Sequence, residues 1–150
     1  MTFESSLWWI EMDYFIEAER ETLKGVVICG SNAGYEEIKQ FSLEKLLSSL
    51  QEANHAISAL GLNTIPCIVQ EAALIGRSTN TPYRESVYLL NFSWSPRMPE
   101  LDKAEFYKSL LQYASLIGRK LEQERVYIEF DGKTIILRTE DEAEQDSNLS

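Results

Sequence analysis

Residues 25–34 read Gly-Val-Val-Ile-Cys-Gly-Ser-Asn-Ala-Gly, GVVICGSNAG. An apolar run closes in a turn of small residues, and a helical pattern follows. The stretch invites two readings, a phosphate-cradling or nucleophile-bearing loop, or a strand that ends in a plain turn. The phosphate loop needs Gly-x-x-x-x-Gly-Lys-Ser/Thr, and the dinucleotide loop needs G-x-G-x-x-G. Gly30 and Gly34 satisfy neither spacing, and no lysine directly follows them. A nucleophilic Cys29 or Ser31 needs an oriented base. The single histidine, His55, falls about 160° from the apolar stripe of its helix and should face solvent. The strand reading therefore stands. Val26 and Ile28 point to one side and Val27 and Cys29 to the other, so this strand is apolar on both faces and belongs inside a sheet.

Upstream, residues 7–16 alternate, with Trp8, Ile10, Met12, Tyr14 and Ile16 on one face and Glu11 and Asp13 on the other. That period of two reads as a half-buried strand. Downstream, Ser42 is a helix N-cap. Leu43, Leu46, Leu47, Leu50, Ala53, Ile57 and Leu60 form an apolar stripe, and Gly61 is the stop. Residues 65–75 and 85–94 are strand-like and flank GRSTNTP, which reads as the loop of a long hairpin. A second helix is expected from about 99 to 122, with Asp102 and Glu105 as a capping box. Gly118 at the edge of its buried stripe suits close packing on a sheet. RVYIEFDGKTIILR, residues 125–138, is the clearest hairpin signal, because Asp131-Gly132 suits a type I′ turn.

The resulting order is β-β-α-β-β-α-β-β. Strand 23–29, helix 42–60 and strand 65–70 are echoed about 60 residues later by strand 86–92, helix 102–121 and strand 126–130. Two such βαβ units make an α+β, ferredoxin-like two-layer sandwich, an antiparallel sheet with two helices on one face. Strands 7–16 and 133–138 would flank it. One conflict is visible: strand 23–29 is central, so 7–16 competes with 126–130 for one of its edges. Residues 1–138 are expected to form a single domain, and 139–150 a disordered acidic tail.

The net charge is −10. Residues 1–76 hold 4 bases and 11 acids, residues 77–138 hold 10 and 8, and residues 140–150 add 5 acids. With no basic stripe to neutralise phosphates, nucleic-acid binding is not expected. No apolar run has the length of a membrane span, and the N-terminal stretch lacks the basic and apolar regions of a signal peptide. A cytoplasmic protein without membrane contact is expected. Cys29 and Cys67 read as buried hydrophobes. Two cysteines and one histidine provide no zinc spacing, so neither metal nor cofactor is expected.

A sheet with helices on one face should be polar on the other. Here Tyr88, Leu90, Phe92 and Trp94 lie opposite Val87 and Leu89, and the neighbours Trp8 and Trp9 point to opposite sides. A second apolar face calls for a cover: a second copy in a homodimer, a different protein, or a small ligand. Trp8, Trp9 and Trp94 are candidate anchors. Glu71, inside the apolar strand IPCIVQEAALIG with Gln70 beside it, and Glu129, in VYIEF, are candidate polar groups for a ligand. Arg77, Arg84 and Arg97 form a candidate basic rim. No residue is assigned a catalytic role. The leading functional expectation is an acidic protein that acts through protein–protein contacts, such as a regulator or inhibitor of a basic partner. The alternative is a small-ligand-binding protein or enzyme with an apolar pocket between sheet and helices.

Overall fold

The computed structural model describes residues 13–30 and 41–139. Seven elements follow in order: β1 (Lys24–Gly30), α1 (Leu43–Ala59), β2 (Cys67–Ser78), β3 (Thr81–Ser93), α2 (Lys103–Lys120), β4 (Arg125–Phe130) and β5 (Lys133–Arg138). The fold is α+β, with five strands in one antiparallel sheet of order β2-β3-β1-β4-β5.

The expected ferredoxin-like order β-β-α-β-β-α-β-β is not the one formed. The observed order is β-α-β-β-α-β-β, without a strand ahead of β1 among the described residues. Residues 13–16 carry no strand, and Tyr14 and Phe15 are 83% and 84% exposed. A strand has two edges, and β1 commits both: Ile28 faces Leu89 of β3 on one side and Tyr127 of β4 on the other. Alternation at 7–16 marks amphipathic chain but provides no free edge. Residues 1–12, with Trp8 and Trp9, lie outside the described residues, as does the tail beyond residue 139.

Local signals place the ends of the elements. Ser42 Oγ accepts from the Lys45 amide at 3.1 Å, and Asp102 Oδ1 accepts from the Glu105 amide at 2.8 Å. Each satisfies an amide that the helix itself leaves unpaired. Asp131 and Gly132 both have positive φ, 52° and 72°, as the tight β4–β5 turn requires. The β2–β3 hairpin differs from the expectation. The strands run through GRSTNTP and turn at Thr79-Asn80, between paired Ser78 and Thr81. Pro82 is tolerated inside β3 because β1 pairs with β3 only from Val87 to Ser93. At Pro82 the other edge of β3 needs no amide donor.

One core holds the layers together. Val27 and Cys29 of β1, Leu90 and Phe92 of β3 and Ile128 of β4 are fully buried. Leu46 and Ile57 of α1 and Phe106, Leu110 and Ile117 of α2 join them in the same cluster. Truncating one of these leucines or isoleucines to Ala costs about 2–5 kcal/mol. The opposite sheet face carries the row Gln70, Leu89, Ile28, Tyr127 and Ile136, one residue per strand. Ile28 and Leu89 are half-buried there, whereas Tyr127 and Ile136 are 39% and 56% exposed.

Candidate ligand site

The end of the sheet at which β1 stops is built by the last turn of α2. Gly118 makes this possible: a Cβ there would lie 2.6 Å from Val126 Cγ2, so the helix backbone rests on β4. Three residues later the chain leaves the helix. Gln123 N–H donates to Gly118 O at 2.8 Å and Glu122 N–H to Arg119 O at 3.2 Å. These are the paired bonds of a Schellman close, with Glu122 in the left-handed position at φ 55°. The turn aims Gln123 back at β1, and its Oε1 accepts from the Gly30 amide at 3.2 Å.

Beside this bond lies a cleft of about 570 Å3 between α2, β4 and β5. Its floor is small and apolar: Ala114 and Gly118 from the helix, Val126 from β4 and Leu137 from β5. Its polar groups are Ser115 and Arg119, one helical turn apart, then Gln123, Glu124, Arg138 and Thr139. Two guanidinium groups with one carboxylate suit a ligand that carries both an anionic and a cationic group. The volume lies within the usual range for small-molecule sites, about 300–1,000 Å3. A second groove of about 690 Å3 runs between α1 and α2, but the Lys120–Glu52 ion pair at 3.0 Å spans two of its lining residues.

The residues singled out from the sequence lie elsewhere and apart. Glu71 is exposed on β2, directly across from Tyr88, whose hydroxyl pKa is pushed up by burial and by the Glu71 charge. Glu129 is exposed on the second sheet face, between Val26 and Thr134. Arg77 and Arg84 are exposed on the outer part of the β2–β3 hairpin. At the opposite end of β3, Trp94 is buried and its Nε1 donates to Pro99 O at 2.8 Å. Arg97, in the same loop, makes a surface ion pair with Glu17 at 3.9 Å. His55 is exposed. Burial pushes both thiols, Cys29 and Cys67, up to about 12, so neither is a nucleophile at neutral pH. Among the described residues no three His, Cys, Asp or Glu side chains group as a metal site, and no helix is long and apolar enough to cross a membrane.

The cleft residues were not singled out from the sequence. Ser115 and Arg119 share a helix face, which is legible, but their meeting with Glu124, Arg138 and Thr139 depends on β4 and β5 folding beside the helix.

No family model matches the chain, and no curated protein matches it either. Solved structures do. A phage SAM lyase in complex with S-methyl-5′-thioadenosine superposes with a TM-score of 0.56 at 11% identity, covering 85% of this chain and 98% of the other. A phage SAM lyase in the apo state gives 0.50 at 14% identity, covering 79% and 90%. The likeness is one of fold. It nonetheless corrects the leading expectation of an acidic regulator or inhibitor working through protein–protein contacts. The neighbours are SAM lyases, not regulators or inhibitors of a protein partner.

Proposed function

We propose that this protein binds S-adenosylmethionine or a related adenosyl thioether in the α2–β4–β5 cleft. The observation that carries the reading is a fold shared over 85% of the chain with a phage SAM lyase that holds S-methyl-5′-thioadenosine. The cleft supports it chemically. S-adenosylmethionine presents a carboxylate, an ammonium, a sulfonium and a flat purine. Arg119 and Arg138 suit the carboxylate, Glu124 suits the cationic groups, and the half-buried Leu137 offers apolar surface to the purine.

The test is thermal unfolding with each compound. A ligand present at about one hundred times its Kd adds about 2.7 kcal/mol, a rise in Tm of roughly 5–10 °C for a chain of this size. Arg119→Ala should weaken binding about tenfold, the worth of one charge-assisted hydrogen bond. No shift with either compound at millimolar concentration sinks the reading. A second reading, turnover of S-adenosylmethionine, is favoured by the lyase identity of the neighbours. It is tested by chromatography for S-methyl-5′-thioadenosine after incubation.

A further inference from the structure

The two edges of the sheet are built differently. At one edge β5 begins with Lys133 and ends with Arg138. Antiparallel pairing of β5 with a second β5 sets these like charges against each other, which is destabilising. At the other edge β2 is twelve residues long, with no strand on its outer side among the described residues. Its only charged residues are Glu71 and Arg77, and it holds no proline. A long edge with so little charge is one that a soluble protein ordinarily covers. Its outer half also lacks support. Residues 73–78 pair with residues 81–86 of β3, and β1 does not reach them. Ile75 there is 74% exposed. A two-stranded ribbon is marginal by itself.

We propose that β2 pairs antiparallel with β2 of a second copy of this chain, about a two-fold axis at Leu74. In this register Glu71 lies directly across from Arg77 of the second copy, and Arg77 across from its Glu71. Leu74 faces Leu74, and Ile75 faces Ala73, a large residue against a small one. Centring the axis on Ala73 instead sets Glu71 against Ile75 and Arg77 against Val69, leaving all four charges unmatched. Charge complementarity therefore selects both the occupant and the register. The interface is isologous and closes at two subunits. The result is a ten-stranded sheet in which the outer half of each hairpin gains a neighbour. The second apolar sheet face is not the contact, and the ligand cleft at the β4–β5 edge stays open.

Sedimentation equilibrium of the full chain tests the proposal. The expected mass is twice the 17.2 kDa of one chain. Arg77→Glu sets like charges opposite each other twice and should weaken the dimer by at least about tenfold. Adding Glu71→Arg to it restores both pairs with their signs exchanged and should restore the dimer. Both positions are exposed, and circular dichroism checks that each variant is folded. Leu74→Cys should cross-link copies through a disulfide under mild oxidation. A monomer at about 100 µM, well above the Kd of a specific interface, overturns the proposal, as does a trimer. So does a dimer that is indifferent to Arg77→Glu, or one that the double exchange fails to restore.

Discussion

At the scale of single residues, both helices end by the same device built from different side chains. In α1 the Leu62 amide donates to Ile57 O at 3.1 Å and the Gly61 amide to Ser58 O at 3.0 Å, with Gly61 at φ 76°. In α2 the left-handed position is held by Glu122. A side chain there crowds the backbone by about 1–2 kcal/mol, which glycine avoids. Glu122→Gly should therefore raise the unfolding free energy by about 0.5–1 kcal/mol, and Gly61→Ala should lower it by about 1 kcal/mol. Urea titration measures both, and a destabilising Glu122→Gly would show that the carboxylate contributes more than its backbone strain costs. Gly61 was legible because glycine is the usual residue at this position. Glu122 was not, since nothing in a glutamate announces a left-handed conformation.

At the scale of elements, α1, α2 and the approach to β2 meet in a small polar network. The buried Tyr113 hydroxyl accepts from the Ile65 amide at 3.0 Å and donates to Asn54 Oδ1. Burial and the nearby Cys67 raise its pKa, and the Ile65 bond pulls the other way. Ser109, one turn earlier on α2, is equally buried, but its Oγ has no hydrogen-bond partner among the described residues. The two hydroxyls should respond oppositely to removal. Tyr113→Phe orphans the Ile65 amide and should cost about 1–3 kcal/mol. Ser109→Ala removes an unmet polar group and installs a better helix former, so it should stabilise by about 1 kcal/mol. Equal signs for the two variants would refute this account. The helical stripe that buries these positions could be read from the spacing of apolar residues. Which hydroxyl finds a partner depends on what lies across the helix–helix contact.

At the scale of the whole molecule, stability should fall as the solution turns alkaline. Burial raises the thiols of Cys29 and Cys67 from 9.0 in the open chain to about 12 in the fold. A raised pKa here means that the folded state keeps protons the unfolded chain releases. The stabilising contribution is whole below pH 9.0 and is lost as the pH climbs through about 12. Tyr88 and Tyr113, also raised, act in the same direction. Denaturant titrations at a series of alkaline pH values should show a downward slope. Replacing both cysteines by alanine should flatten it whatever the alanines do to stability at neutral pH. An unchanged slope would mean that the thiols are not responsible.

The elements that rest on local free energies are written in the order of the residues alone. Ser42, Asp102 and Gly61 mark helix ends, Asp131-Gly132 closes a hairpin, and apolar spacing sets the buried faces of both helices. Each of those signals acts within about five residues, so it survives without knowledge of the rest of the chain. Which strands own the two edges of β1 is settled by long-range packing. The alternation at 7–16 and the apolar run at 126–130 both qualified as neighbours, and β4 holds the place because α2 returns the chain there, with Gly118 against Val126. The same long-range choice brings Arg119 and Arg138 to the lining of one cleft and leaves β2 at an edge with Glu71 and Arg77 three residues either side of Leu74. A strand has two edges, and competition for them is settled by the whole chain at once. No stretch, including the one at residues 25–34, carries that outcome within itself.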